Sequence, residues 1–237
     1  IRPGKISRRA FLRASGTIVL VMGSGCYLLR GRKAGASATP IESNIDIPVS
    51  DGYLLVDAKK CQGCASCMLA CSLVHEGVES QSLSRIQIIQ SSFDGFPDDL
   101  SISQCRQCVD PACARICPEG ALTADPQFGN ARMVDRTKCV GCGQCVEACP
   151  YTPSRSVLVT DESFDYEDKA NKCDLCADTP YHWDDAGGGP NGKQACVAVC
   201  PVDAIHFTKK IPVQDGDKGY NVNLRGGIWG RLGYPSA

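Results

Sequence analysis

Apolar positions along this chain come in short runs. Alternation of the kind that half-buries a strand occurs at residues 53–56, 85–89, 133–134, 157–159 and 205–208, and each run predicts a strand of a few residues. Helix formers fill other intervals, as in Met68-Leu69-Ala70 and Val146-Glu147-Ala148. The predicted order is a strand, a loop, a short helix and a strand, repeated: an α+β arrangement of small units.

The N-terminal segment departs from this pattern. Residues 14–29 are uncharged, and Ser7-Arg8-Arg9-Ala10-Phe11-Leu12-Arg13 precedes them. Paired arginines, a Phe-Leu pair and then a modest apolar stretch predict a twin-arginine export signal over residues 1–33. At 1.5 Å per residue the apolar stretch reaches roughly 24 Å, just short of a bilayer core. Arg30, Arg32 and Lys33 follow it, and Ala36-Ser37-Ala38 offers a small-residue cleavage site. The segment is expected to be retained, as an anchor or as a helix docked on a membrane partner, which places the protein on the extracytoplasmic face of the membrane. Cys26, in Gly23-Ser24-Gly25-Cys26, is similar to a lipidation site but is read as a neutral residue within the apolar stretch. Residues 34–50 read as a linker, residues 51–210 as the globular part, and residues 211–237 as a tail able to contact a partner.

The globular part is organised by repetition. Val56-Asp57-Ala58-Lys59-Lys60-Cys61-Gln62-Gly63-Cys64 returns as Val134-Asp135-Arg136-Thr137-Lys138-Cys139-Val140-Gly141-Cys142. Cys117-Pro118-Glu119-Gly120-Ala121-Leu122 returns as Cys200-Pro201-Val202-Asp203-Ala204-Ile205. Such echoes predict a duplicated supersecondary unit.

Composition then says what holds these units together. Aromatics make up 6% of 237 residues, with 24 glycines and 14 prolines, so an ordinary aliphatic and aromatic core is not the main source of order. The 17 cysteines are the alternative. A formal charge of −1, with Lys and Arg scattered, argues against a nucleic-acid partner.

Sixteen of the cysteines fall into four groups. The first is Cys61-x2-Cys64-x2-Cys67-x3-Cys71. The third, Cys139-x2-Cys142-x2-Cys145-x3-Cys149-Pro150, matches the bacterial ferredoxin run, in which three thiolates wrap one [4Fe–4S] cube and the fourth serves its neighbour. Gly63, Gly141 and Gly143 give the loops backbone freedom close to such a core. The second, Cys105-x2-Cys108-x4-Cys113-x3-Cys117-Pro118, and the fourth, Cys173-x2-Cys176-x19-Cys196-x3-Cys200-Pro201, keep the outer spacings and lengthen the middle. Loop closure cost grows slowly with length, so the insert at residues 177–195 is an excursion and not a broken site. Zinc knuckles also use Cys-x2-Cys, and exported proteins also form disulfides. Four consecutive groups of four, three closing in Cys-x3-Cys-Pro, favour four [4Fe–4S] clusters over both.

In these cysteines, over about residues 51–210, the chain resembles the four-cluster iron–sulfur subunits of membrane-associated molybdopterin enzymes and periplasmic quinone-linked hydrogenases. The residues 52–57, 70–77 and 84–86 are also similar to the ferredoxin-type partners of tungsten aldehyde oxidoreductases. The first resemblance implies two ferredoxin-like dicluster units, groups one and four forming one and groups two and three the other. It implies that Cys61, Cys64, Cys67 and Cys200 hold one cluster, and that Cys173, Cys176, Cys196 and Cys71 hold its neighbour. It further implies a third cluster on Cys105, Cys108, Cys113 and Cys149, and a fourth on Cys139, Cys142, Cys145 and Cys117. Ser72 stands where the run would carry proline, which is not a ligand.

No catalytic residue is expected. Gly187-x4-Gly192-Lys193 nearly spells a phosphate loop, but Gln194 replaces the Ser or Thr that reaches magnesium. The dinucleotide match at Gly187, Gly189 and Gly192 lacks the strand and helix it needs. His75, His182 and His206 read as surface or packing residues, and Asp98-Asp99 and Asp161-Glu162 as solvated faces. The aromatic stretches 181–185 and 223–229 either anchor a partner or cover the chain's own clusters. The expected function is one-electron transfer between a catalytic subunit of molybdenum, tungsten or nickel–iron type and a membrane quinone-linked or cytochrome subunit; a freestanding polyferredoxin is the alternative.

Overall fold

The computed structural model of the protein describes residues 46–183 and 188–234. The export segment, Cys26, most of the linker, and Asp184, Asp185 and Gly187 lie outside the described residues. Among those described, no helix is long and apolar enough to cross a membrane.

Among the described residues, eight short strands form four antiparallel two-stranded ribbons. β1 (Tyr53–Val56) pairs with β8 (Ile205–Thr208), Tyr53 facing Thr208 and Val56 facing Ile205. β2 (Ile86–Gln90) pairs with β3 (Leu100–Gln104), β4 (Leu122–Asp125) with β5 (Ala131–Val134), and β6 (Val157–Asp161) with β7 (Glu167–Asn171). The β1–β8 pair joins the two ends of the globular part, and the other three are local hairpins. The β4–β5 and β6–β7 hairpins turn alike: Asp125 accepts from the Gln127 N–H at 2.8 Å, and Asp161 from the Ser163 N–H at 3.0 Å. Each carboxylate caps a single 3₁₀ turn.

Between the ribbons lie α1 (Ser66–Glu76), α2 (Ala112–Arg115), α3 (Gln144–Glu147) and α4 (Ala195–Ala198). α1 is longer than the three-residue run of helix formers predicts, because Cys67, Cys71, Val74 and His75 bury one face at i, i+4 and i+7, i+8. It stops at Gly77, whose left-handed conformation (φ 71°) lets its N–H cap the Leu73 carbonyl at 3.0 Å. α1 packs on α4, and α2 on α3.

The core is built as much from cysteine as from aliphatics. Leu54, Val56, Met68, Ile86, Ile102, Leu175 and Ile205 pack with Cys67, Cys71, Cys105, Cys173 and Cys196. Around α2 and α3, Ala114, Ala121, Leu122 and Ala170 pack with Cys139 and Cys145. Alanines in these places let backbone come close to the sulfurs.

The tail returns to β1. The Val56 N–H donates to the Tyr220 carbonyl at 2.8 Å, and the Val222 N–H donates to the Val56 carbonyl at 2.7 Å. This covers an edge that would otherwise present unpaired backbone. Asp57, 1% exposed, accepts from the Leu224 N–H at 2.8 Å and from Arg225 Nε at 3.0 Å. A last helix, α5 (Gly227–Arg231), sets Trp229 edge-on to Tyr234, which meets Phe96 of the β2–β3 loop in the same way.

Candidate metal centres

The ligand loops are shaped by left-handed residues. Gly63 (φ 67°) and Ala65 (φ 58°) bend the first loop, and Gly141 (φ 67°) and Gly143 (φ 77°) bend the third at the same positions. Gly141 is irreplaceable on two grounds: its φ, and a Cβ that would run into the Asp168 carbonyl oxygen. These bends turn backbone N–H groups toward sulfur. Gly63 donates to Cys61 Sγ at 3.5 Å, Gln107 to Cys105 at 3.4 Å, Arg85 to Cys71 at 3.4 Å, Arg155 to Cys149 at 3.2 Å, Ala170 to Cys139 at 3.3 Å, Ala195 to Cys176 at 3.4 Å and Ala204 to Cys200 at 3.2 Å. Sulfurs from all four groups thus sit among donors placed to stabilise thiolate charge.

All sixteen grouped cysteines carry free thiols, and eight of them line two pockets, four to each. Cys61, Cys64, Cys67 and Cys200 line one pocket with Ile88, Ile102 and Ile205. Cys117, Cys139, Cys142 and Cys145 line another with Leu122, Val134 and Leu158. Of the other cysteines, Cys71, Cys173, Cys176 and Cys196 are all buried, while Cys105 is buried and Cys108, Cys113 and Cys149 are partly exposed. Burial, then Cys105, Cys108 and Cys149, push Cys113 up to about 12 even against Lys172. Burial, then Cys176, Cys173 and Cys71, push Cys196 far above the usual thiol range. In the first pocket burial, then Cys61, Cys200 and Cys64, push Cys67 up to about 12.

These sites suit an iron–sulfide core on two observations. Buried thiols pushed this high cannot all be thiolates unless a positive core binds them, since the thiolate is the ligand form. Among the described residues, four buried polar side-chain atoms lack any hydrogen-bond partner: Tyr53 OH and the Nε atoms of Arg85, Arg132 and Arg155. All four belong to residues beside the cysteines: Arg85 and Arg155 donate backbone N–H to Cys71 and Cys149, while Arg132 and Tyr53 feel the charge of Cys108.

His75 packs in the interior, one of the two places expected for it, and one carboxylate expectation is corrected. His75 is a buried neighbour of a thiol: its Nδ1 lies 2.7 Å from the Cys71 carbonyl and 3.7 Å from Cys71 Sγ, and its Nε2 lies 3.0 Å from Asp174 Oδ1. Arg85 Nη1 donates to Asp174 Oδ2 at 2.6 Å. Burial disfavours the charged carboxyl of Asp174, but Arg85 and His75 outweigh it and hold Asp174 well below the usual range. Burial likewise opposes the imidazolium, yet Asp174 raises His75 to about 9. Asp161, in turn, is no solvated face: its carboxylate is 9% exposed and takes Arg136 Nη1 at 2.9 Å. Neither pairing has a local signal, because His75 and Asp174 are 99 residues apart.

Asp174→Asn leaves His75 without its carboxylate and Arg85 with Glu76 alone, 3.6 Å away. Removing one partner of a buried pair costs about 3–5 kcal/mol, a fall in Tm on the order of 10 °C in a domain of this size. Anaerobic thermal unfolding checks it, and a fall of a degree or two would show the three charges to be solvated.

Thiols gathered in fours, donors aimed at sulfur and a core built around both define an iron–sulfur protein. Comparison with known sequences agrees. Residues 99–210 match the family described as the 4Fe-4S dicluster domain. The electron transport protein HydN of Escherichia coli (strain K12) is 35% identical over 168 residues, covering 65% of this chain and 85% of HydN. The thiosulfate reductase electron transfer subunit PhsB of Salmonella typhi is 33% identical over 164 residues, 65% of this chain and 73% of PhsB. The polyferredoxin-like subunit of the aliphatic sulfonate oxidoreductase of Pyrococcus furiosus is 34% identical over 165 residues, 67% of this chain and 76% of that subunit. Other relatives are much longer, and the matched region spans 22% of AegA of Escherichia coli. The chain belongs to the family of iron–sulfur electron-transfer subunits that carry the 4Fe-4S dicluster domain. It binds [4Fe–4S] clusters, for which its sixteen grouped cysteines suffice for four, and it serves an oxidoreductase as a non-catalytic electron carrier.

Proposed function

We propose that the protein is the wire of an exported or membrane-attached oxidoreductase, relaying single electrons between a catalytic subunit of molybdenum, tungsten or nickel–iron type and a membrane quinone-linked or cytochrome partner. The clusters supply reversible one-electron chemistry at potentials within roughly −700 to +450 mV. The ligand sets are Cys61, Cys64, Cys67 and Cys200; Cys71, Cys173, Cys176 and Cys196; Cys105, Cys108, Cys113 and Cys149; and Cys117, Cys139, Cys142 and Cys145. Packing of α1 on α4 and of α2 on α3 supports two dicluster halves.

The observation that carries this function is the serial contact of the four sets. Cys67 of the first acts electrostatically on Cys196 of the second, and Cys105 of the third on Cys173 of the second. The third and fourth are linked by two exchanged Cys-x3-Cys segments. Among the described residues the exposed cysteines, Cys64 and Cys142, fall in the outer sets; Cys71, Cys173, Cys176 and Cys196 are all buried, and Cys108, Cys113 and Cys149 are partly exposed. A row with an exposed cysteine in each of its outer sets suits a relay between two docked partners.

Relatives named as subunits of thiosulfate reductase and of an aliphatic sulfonate oxidoreductase support a catalytic partner. The twin-arginine pattern of residues 1–33 supports export with cofactors already inserted, and with it a complex on the extracytoplasmic face. Mild purification from the native membrane followed by mass spectrometry tests the proposal. Recovery with a large redox subunit is expected, and recovery as a lone monomer would overturn it in favour of a freestanding polyferredoxin.

A further inference from the structure

The chain enters the β2–β3 and β6–β7 ribbons through the same serine turn. In Ser84-Arg85-Ile86 the Ser84 hydroxyl donates to the Ile86 carbonyl at 2.6 Å and accepts from the Ile86 N–H at 3.3 Å. In Ser154-Arg155-Ser156 the Ser154 hydroxyl donates to the Ser156 carbonyl at 2.8 Å and accepts from the Ser156 N–H at 3.3 Å. The middle arginine of each turn donates its N–H to the last cysteine of a group, Arg85 to Cys71 and Arg155 to Cys149. The two turns differ at their third residue. Ile86, 2% exposed, packs in the apolar cluster that holds Cys67. Ser156, also 2% exposed, donates its hydroxyl to Cys145 Sγ at 3.5 Å. Cys67 and Cys145 are themselves equivalent, each the third cysteine of a group with the same spacing.

The Ser156 hydroxyl has no other partner among the described residues. A buried hydroxyl is costly without a partner, so the sulfur of Cys145 is what satisfies it. Reduction of a centre adds one electron, drawn from the reduced partner; no bond is made or broken, and the proton stays on the hydroxyl oxygen. The ligand set becomes more negative by one charge. A donor on a ligand sulfur favours that state, and hydrogen bonds to sulfur are among the features that set the potential of such centres. Ile86 has no donor to offer at the equivalent place, and among the described residues no side chain donates to Cys67 Sγ. Buried cations lie beside both sets: Lys60 next to Cys61, and Lys169, whose Nζ donates to the Cys139 carbonyl at 2.8 Å. The hydroxyl is a donor that one repeat has and the other lacks.

We propose that Ser156, through its hydrogen bond to Cys145, raises the potential of the centre held by Cys139, Cys142 and Cys145. Ser156 is a positioning residue in this role, acting on the centre through one of its ligands. It does so at the exposed Cys142 end of the row, where an electron is exchanged with a docked partner. Cys139, Cys142 and Cys145 fall in one set whichever closing cysteine completes it, so the inference rests on the reading above only in taking Cys145 as a ligand. Ile86 leaves the centre of Cys61, Cys64 and Cys67 without this bond, and the two repeats, alike in ligand spacing, are tuned differently at this one position.

The test is a redox titration of the anaerobically purified full chain, each centre followed by its electron paramagnetic resonance signal. The signal that Cys145→Ser alters marks the centre in question, and the one that Cys67→Ser alters marks its counterpart. Ser156→Ala is expected to lower the equilibrium constant for reducing the first centre roughly fivefold, about 40 mV at 59 mV per tenfold for a one-electron couple, and to leave the counterpart unmoved. Ser156→Val lowers it likewise, whereas Ser156→Thr, of the same shape but with the hydroxyl, holds it near the unsubstituted value. The converse variant, Ile86→Ser, raises the potential of the counterpart. If Ser156→Ala and Ser156→Val move no potential while iron and sulfide stay at full content, or if Ser156→Thr shifts it as far as Ser156→Val, the inference is overturned and the ligand reading stands. If Cys145→Ser leaves iron, sulfide and every signal unchanged, Cys145 is no ligand, and the reading falls together with the inference.

Discussion

Removing iron from the anaerobic protein with a chelator is expected to unfold it, the far-ultraviolet circular dichroism collapsing in step with the visible charge-transfer absorption. The elements cannot stand alone. Every strand has four or five residues and belongs to a two-stranded ribbon, a unit at best marginally stable in water. Three of the four helices that carry cysteines have four residues, and the eleven of α1 fall short of the roughly 12–15 an isolated helix needs. What joins them is sulfur. Cys67, Cys71, Cys105, Cys173 and Cys196 sit at the centre of the larger apolar cluster, and Cys139 and Cys145 in the smaller one. Without a core to bind, these thiols confront one another across the space they line. Binding free energy is then folding free energy, as in other small metal-dependent domains. Trp183 and Trp229 fluorescence gives an independent probe, and iron with sulfide under reducing conditions should restore the signals together. A chain that kept its circular dichroism after losing its iron would show that the aliphatic residues suffice.

The second large effect concerns which cysteines share a cluster. If the closing cysteine of each middle group serves the other group's cube, Cys149→Ala and Cys105→Ala remove or alter the same resonance signal. Cys117→Ala and Cys139→Ala then alter a different one. Ligation within each group gives the reverse pairing, joining Cys117 to Cys105 and Cys149 to Cys139. The exchanged pattern is expected because Cys117 lines the pocket of Cys139, Cys142 and Cys145, while Cys149 acts on Cys108 and Cys113. Each variant should lose about a quarter of the chain's iron if its cube falls out altogether.

Both predictions lean on features of unequal visibility in the amino-acid sequence. The grouping of cysteines is legible because a spacing of two or three residues fixes how far apart thiols can be. The strands at Tyr53–Val56 and Ile205–Thr208 are legible as apolar runs, although nothing in either says that they pair across 150 residues of chain. β3 and β7 escape a hydrophobic reading. Leu100-Ser-Ile-Ser-Gln has two apolar positions and Glu167-Asp-Lys-Ala-Asn has one, and each becomes a strand because a hairpin turn brings it back along a more apolar partner. The charges around the thiols are the least visible part. Lysine is ordinarily an exposed residue, yet Lys169 and Lys172 are buried, and only the adjacency of Lys172 to Cys173 hints at a role. Asp174 sits between two ligand cysteines, where a solvated residue would look the same in sequence; its partners Arg85 and His75 come from another part of the chain. Tyr220 and Asp57, which tie the tail to β1, are equally silent until the fold is known.

The central claim is that four inorganic cubes, each on four thiolates, hold this chain together and give it its function. Iron and acid-labile sulfide measured on anaerobically prepared protein, with Mössbauer spectra of the same samples, test it most directly. About sixteen of each per chain, with spectra of [4Fe–4S] centres alone, is the predicted result. Zinc without sulfide, or iron as isolated ions, would contradict it.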